Sequence, residues 1–430
     1  MSAQVRILTV ADSDSYVKWG AALLDRAPAG WEKSLVVLAS PVLPSAEQLS
    51  AALAGIAPDL GQPPIVDLSA LATRVAEMQP DVVMLTMRGR LVRVAIHAIV
   101  GAAPRRPVIV SGLPGISVPA TCKAIAYRAQ ADLFVLHSRR EIREFTELAA
   151  AMGIEHRFRL ATLPFLPRKD PSRGQDGDVI FAAQAKVPWE KSDRIALLSW
   201  LAESARRHPY RRVVIKVRAA RGERQTHRER HNYADLIREL DRPAPNNLVI
   251  ARGAMADHLA GAAALVTISS TAAIEAIALD MPVLIVSDFG VSDRLINTVF
   301  EGSGLFGNSG DVVEGRFKRA DPGWLEDNYF HAAEDDDWVS GVEQLLVLRE
   351  AGQLALKMQK LGVAGGALRR AWDRKRALGR LDRSVAGMIA LAVGTPTQLA
   401  LLLVQGMRAR LTRERIAPAR IDSTEFIGVK

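Results

Sequence analysis

A single cysteine, Cys122, stands in a chain of 430 residues. This excludes an intramolecular disulfide and any metal site built from several cysteines, and it fits a reducing compartment. Aromatic residues are scarce, at 5 %, and no zinc-finger signature, RNA-binding sheet signature or basic–aromatic alternation marks a nucleic-acid surface. The G-x-G-x-x-G pattern is missing from the first strand–helix turn, and Gly112-Leu113-Pro114-Gly115 does not complete it. That argues against an NAD-dependent dehydrogenase. There is no H-E-x-x-H and no His/Cys set with zinc-ligand spacing. Asp335-Asp336-Asp337 lacks calcium-loop spacing and reads as an exposed acidic loop. The first residues, MSAQVRILTVADSD, carry no basic region followed by a long apolar stretch, so no secretory signal is expected and the expected location is the cytoplasm.

The formal charge is +9. Residues 361–430 hold 13 Lys/Arg against 5 Asp/Glu, a local net of +8, so the body is close to neutral and no nucleic-acid partner is expected. At 49 % hydrophobic residues, this length suits a soluble α/β protein of two domains with a further element. Near-continuous apolar runs at 5–10, 34–39, 82–87, 107–111 and 133–137 read as strands. Helical segments fall at 15–24, 68–78, 120–129 and 138–152. After a Pro/Gly/charge-rich stretch at 164–177 the alternation restarts, with strands at 179–182, 212–217, 248–250, 264–268 and 283–287. Such strands separated by helices indicate parallel sheets covered on both faces. The expected architecture is α/β: two facing Rossmann-like domains, 1–165 and 178–330, and a helical extension over 331–430.

Open parallel sheets bind ligands beyond the carboxyl ends of their strands. Four polar clusters fall there: Asp12 and Asp14, Arg88-Gly89-Arg90, Lys216 with Arg218, and Ser269-Ser270-Thr271. The run LVTISSTAAIEAIALDMPVLIVSDFG (265–290) is the most informative. A strand ends in three hydroxyls, a helix begins, and Glu275 follows one turn on, which together suggest a phosphate seat at the amino end of a helix. Ser270 or Thr271 can equally be an ordinary cap, and so can Asp14. Gln184 and Lys186 occupy the loop after the first strand of the second half, another cleft position with capping or solvation as its alternative. Lys216 and Arg218 can be strand-end surface charges, and Arg88 and Arg90 a solvated turn. His137 ends a strand, either as a catalytic group or as a buried histidine satisfied by backbone.

The segments ADLFVLHSRREIREF (131–145), FAAQAKVPWEKSDRIALLSWL (181–201), RVVIKVR (212–218) and VTISSTAAIEAIALDMPVLIV (266–286) resemble glycosyltransferases of GT-B architecture. Within that group the likeness is to capsule-polysaccharide transferases of the Kdo and sialic-acid type and to bacterial glycosyltransferase-like proteins, over residues 1–305. Nucleotide-sugar epimerases share a stretch similar to the last segment. The resemblance implies a nucleotide-sugar substrate, no further cofactor, and a glycan or lipid-linked acceptor in the cell envelope. The capsule enzymes carry Lys-x-His-Pro where this chain reads Lys216-Val217-Arg218-Ala219; Arg218 can replace the histidine as a permanent cation. An inverting transfer needs a base for the acceptor hydroxyl and stabilisation of the leaving phosphate. Metal is dispensable if cations and amides carry that charge. On this scheme Asp12, Asp14 or His137 is the catalytic group. Gln184, Lys186, Lys216, Arg218, Ser269, Ser270, Thr271 and Glu275 bind the donor, and Arg88 and Arg90 hold the acceptor. An epimerase-like activity and a binding protein without catalysis are the rival readings.

Residues 384–407 contain no charge and are flanked by arginines. Gly394-Thr395-Pro396-Thr397-Gln398 interrupts them, which suggests two short apolar helices rather than one membrane span. These either pack on the body or form, with the arginines of 366–420, a peripheral contact with an anionic membrane at its inner face.

Overall fold

The computed structural model describes residues 4–394 and 396, except 55, 57–60, 165, 168–176, 186, 218–229 and 355–365. In the first half, strands β1 (Arg6–Ala11), β2 (Glu32–Leu38), β3 (Ile65–Val66), β4 (Val82–Thr86), β5 (Val108–Gly112), β6 (Leu133–Leu136) and β7 (Phe158–Leu160) alternate with helices. These are α1 (Asp14–Arg26), α2 (Ala46–Leu53), α3 (Leu68–Met78), α4 (Gly89–Ala102), α5 (Cys122–Arg128) and α6 (Arg139–Ala151). The second half has β8 (Asp178–Ala182), β9 (Val213–Lys216), β10 (Leu248–Ala251), β11 (Ala262–Thr267), β12 (Val283–Val286) and β13 (Phe306–Gly307). Its helices are α7 (Lys191–Arg207), α8 (Tyr233–Leu236), α9 (Met255–Ala260), α10 (Ala272–Ala278) and α11 (Ser309–Glu314). Helices α12 (Pro322–Asp327), α13 (Trp338–Glu350) and α14 (Ala367–Leu378) follow, and 385–394 is helical.

The first sheet has the order β3-β2-β1-β4-β5-β6-β7 and the second β10-β9-β8-β11-β12-β13. All their strand pairs are parallel. β4, β5 and β6 are buried along their whole length, as expected for strands covered on both faces. In each sheet the strand order reverses at one place, between β1 and β4 and between β8 and β11. The crevice beyond the carboxyl ends opens there. The two Rossmann-like domains expected from the sequence are therefore present.

Gly20 shows how closely α1 lies on its sheet: a Cβ there would meet Thr86 Oγ1 at 2.7 Å and Thr9 Cγ2 at 2.9 Å. Any larger residue would push the middle of α1 away from β1 and β4.

The chain returns to the first sheet after the second. Trp338, Val342 and Leu345 of α13 join the core of Ile7, Val82 and Val108, while Leu378 of α14 joins Leu8, Leu85 and Ile96. In the acidic triplet Asp335 is exposed as expected, whereas Asp336 and Asp337 are part of this return. Asp336 Oδ1 accepts from Thr162 N at 2.6 Å, and Asp337 Oδ1 from Leu160 N at 2.6 Å, so both carboxylates fasten α13 to the end of β7. The run 89–102, whose start reads as a loop in sequence, is helix α4. Leu91, Val92, Ala95, Ile96 and Ile99 recur at helical spacing, and their burial against the sheet overrides the weak propensity of a glycine start and β-branched residues.

Candidate functional site

At the first switch point, Asp12 follows β1 directly and is fully buried. Arg88, the residue before α4, reaches it from the end of β4, with Nε 2.9 Å from Asp12 Oδ2. The pair spans the gap between the two diverging strands. Among the described residues Asp12 Oδ1 has no hydrogen-bond partner, so one carboxylate oxygen is anchored and the other is uncommitted. Asp14 is the first residue of α1 and exposed, and Ser13 holds the N-cap position. The Asp14 carboxylate therefore faces solvent in the first turn, where the helix dipole favours it.

Arg90 and His137 lie elsewhere. Arg90 is in the first turn of α4, its guanidinium 5.7 Å from the Tyr127 ring centre and 5.8 Å from that of Trp372. It is thus removed from Asp12's side and joins α4 to α14. His137 is completely buried. Its Nε2 accepts from Trp19 Nε1 at 2.7 Å, so Nδ1 carries the proton and donates to Ala161 O at 2.7 Å. Burial holds the ring neutral, pushing its pKa down to about 4. With both ring nitrogens bonded, the surroundings of His137 are those of the buried-histidine alternative.

The second switch point is bridged in the same way. Gln184, after β8, accepts through Oε1 from Ser269 N at 3.0 Å and from Ser269 Oγ at 3.1 Å, after β11. With Oε1 fixed, the same amide offers Nε2 as a donor. Thr267 Oγ1 donates to Ala182 O at 3.1 Å and accepts from Ser270 N at 3.2 Å, which locks the strand end. The start of α10 is tighter than the sequence suggests: the amides of Ala273 and Ile274 bond to the carbonyls of Ser270 and Thr271, both at 3.0 Å. Ser270 Oγ accepts from Ala272 N at 3.3 Å. Ser270 therefore acts partly as a cap, whereas Thr271, at the N-cap, makes no capping bond and is exposed. The seat consists of hydroxyls and a cation more than of spare helix amides. Lys216 ends β9 and is buried beside it. Lys186 and Arg218 lie outside the described residues.

The two switch points face one another. Burial raises the Glu275 carboxyl above its usual range, and the ammonium groups of Lys18, on α1, and Lys216 pull it partly back. Lys18 belongs to the first half and Glu275 to the second, so the α1 ammonium lies within electrostatic range of α10 across the cleft. Among the described residues no group of His, Cys, Asp or Glu is arranged to hold a metal ion.

Sequence reading missed Arg194 and Lys18. Arg194 is 1 % exposed, and its guanidinium donates to four carbonyls of the loops around Gln184. The distances are 2.8 Å to Pro188 O, 2.8 Å to His231 O, 2.9 Å to Gln184 O and 2.8 Å to Ala185 O. The loop carrying Gln184 is thus shaped by one planar cation. Lysine keeps the charge without the fork. Arg194→Lys is expected to lower stability by about 2 kcal/mol, read as a drop in the urea midpoint; an unchanged midpoint would show that the carbonyls are satisfied without it.

The model of one protein family, described as "Putative glycosyltransferase (DUF6716)", matches residues 7–345. No curated protein matches the chain. Among solved structures, a UDP-glucosyltransferase from Polygonum tinctorium capable of glucosylating indoxyl is similar, with 12 % identity and a TM-score of 0.51. It covers 81 % of this chain and 100 % of that one. A UDP-GlcNAc 2-epimerase from Neisseria meningitidis, bound to UDP-GlcNAc, has 12 % identity and a TM-score of 0.42 over 81 % of this chain and 100 % of that one. The fold shared with the first is of GT-B type.

Proposed function

The chain belongs to this glycosyltransferase family, and we propose that it acts on a nucleotide sugar, transferring the sugar to an acceptor hydroxyl of a cell-envelope glycan or lipid-linked glycan. The observation that carries the reading is the pairing of bridges at two facing switch points. Asp12–Arg88 closes one and Gln184–Ser269 the other, with Glu275 of one half under the field of Lys18 of the other.

In this reading the nucleotide sits on the second half. Lys216, the hydroxyls of Ser270 and Thr271, and the Gln184 amide meet the phosphates. Glu275 accepts from ribose hydroxyls. Lys216 and the run 266–286 resemble the corresponding segments of capsule-type transferases. Asp12 Oδ1 removes the acceptor proton as the sugar's anomeric carbon is attacked, while Arg88 holds Oδ2 and fixes the carboxylate's orientation. The anomeric carbon–oxygen bond breaks, and the nucleotide leaves on the phosphate whose growing charge Lys216 offsets. An acceptor-free epimerisation would need acid and base groups around the sugar carbons themselves. The uncommitted oxygen of Asp12 favours transfer.

The test is calorimetric titration of the protein with UDP-, GDP-, dTDP- and CMP-sugars and the free nucleotides. Selective binding of one class is expected, weakened about tenfold or more in Gln184→Ala and in Lys216→Ala through loss of charge-assisted contacts. Folded protein that binds none of the panel, or binds it unchanged in both variants, would overturn the assignment.

A further inference from the structure

Away from the cleft, α4 and α14 enclose a cavity of about 250 Å³, and Ala386 from the helical segment 385–394 completes its wall. Arg93 and His97, one turn apart on α4, line it together with Arg369, Arg370, Asp373 and Arg374 of α14. The lining thus carries four guanidinium groups and one carboxylate. Asp373 Oδ2 is 3.0 Å from Arg93 Nη2 and 3.5 Å from Arg369 Nε. Arg374 Nε turns aside to Asp382 Oδ2 at 3.1 Å.

Arg93 is 7 % exposed, and among the described residues its Nε has no hydrogen-bond partner. A buried guanidinium N–H without an acceptor is costly, and the nearby cations Arg369 and Arg90 add repulsion. Burial, then Arg370 and Arg93, keep the His97 imidazole below its usual range. The Trp372 ring holds the Arg369 guanidinium at 4.9 Å, which fixes one cation of the wall. A compact dianion in the cavity would supply the missing counter-charge. Phosphate in its monoester or diphosphate form matches the forked donors of arginine.

The same helical segment that lends Ala386 leaves Val385, Met388 and Ile389 exposed at 73, 60 and 54 %. A phosphate-lined cavity beside an uncovered apolar helix face is suited to a lipid whose headgroup enters the cavity and whose chain lies along that face. We propose that the α4–α14 cavity binds a phosphate monoester or diphosphate, carried by a lipid. This is a second ligand site outside the nucleotide cleft.

The test uses the full chain in two arms. In the first, inorganic pyrophosphate is titrated by calorimetry into wild type, Arg370→Ala, Arg369→Ala and the control Arg242→Ala, whose side chain is 70 % exposed elsewhere. Each variant's fold is checked by circular dichroism. In the second, the same proteins are sedimented with phosphatidylcholine vesicles containing either phosphatidic acid, a phosphomonoester, or phosphatidylglycerol, a phosphodiester. Saturable pyrophosphate binding, weakened about tenfold by Arg370→Ala and by Arg369→Ala and unchanged by Arg242→Ala, is expected. A perturbed His97 imidazole resonance and preference for phosphatidic acid should accompany it. Pyrophosphate binding with no preference between the vesicles would keep the anion site and overturn its lipid source. Absence of pyrophosphate binding, or an equal loss in Arg242→Ala, would overturn the site.

Discussion

Replacing Asp12 with asparagine should lower sugar transfer by about 10²–10⁴-fold while the affinity for the nucleotide sugar stays within about a factor of two. The argument rests on where each oxygen of Asp12 is. Oδ2 is held by Arg88 Nε at 2.9 Å, and Oδ1 is buried without a partner among the described residues. In Asp12→Asn the arginine still needs an acceptor, so the amide oxygen turns toward Arg88 and the NH2 group occupies the position of Oδ1. A donor then stands where the acceptor proton must be received. The shape of the side chain is kept, and the donor seat lies on the other half, so binding is spared. The check is kcat/KM for transfer beside a calorimetric Kd for the donor. Unchanged transfer would remove Asp12 as the base. Affinity falling in step with transfer would instead make it a binding or folding residue.

The second large effect concerns stability and pH, and it centres on Glu141. This carboxylate is fully buried in the first turn of α6. It accepts from Ser117 N at 2.7 Å, His137 N at 2.9 Å and Tyr329 OH at 2.7 Å. Tyr329 packs in the core of the second half, so the bond ties the two halves together. Burial, opposed by these three donors, pushes the Glu141 pKa from 4.5 up to about 7. Its neighbour His137 is pushed from 6.5 down to about 4, also chiefly by burial.

The two shifts act on stability in opposite directions. Glu141's contribution is full below pH 4.5 and is lost as pH rises through about 7. His137's is full above pH 6.5 and is lost as pH falls through about 4. Between pH 4.5 and 6.5 the folded pair carries one proton, on Glu141, and the unfolded pair also carries one, on histidine. Their slopes therefore cancel. Glu141→Gln removes one side of this balance. Across that window the variant's stability should gain roughly 1.4 kcal/mol per pH unit relative to wild type. Gln should also be less stable throughout, since an amide cannot accept all three bonds. Urea unfolding of both proteins from pH 4 to 8 measures the difference. Parallel curves would show that Glu141 stays ionised in the fold.

Much of the cleft was legible in the chain. Apolar runs of strand length fix where each strand stops, and the residue that follows a parallel strand is at the ligand-binding end whatever the rest of the fold does. Asp12, Arg88, Gln184, Lys216 and the hydroxyls from Ser269 onward were placed by that local rule. α4 was missed although Leu91, Val92, Ala95, Ile96 and Ile99 stand at helical spacing, because its start at Arg88-Gly89-Arg90 reads as a loop. Arg90 was read as a cleft residue together with Arg88, but two steps along a helix turn a side chain by about 200°. That turn carried it to Tyr127 and Trp372.

What the sequence alone determined was therefore the alternation of strands and helices, two Rossmann-like halves, and the polar groups that end their strands. All of these follow from interactions among near neighbours. What the tertiary structure decided was which of those groups meet. Arg88 meets Asp12 across 76 residues, Gln184 meets Ser269 across 85, and Tyr329 reaches Glu141 across 188. It also decided that the histidine ending β6 is sealed by Trp19 and Ala161, and that arginines 93, 369 and 370 share one cavity. A side chain's burial and partners are set by packing between distant segments, and no local pattern of residues encodes that.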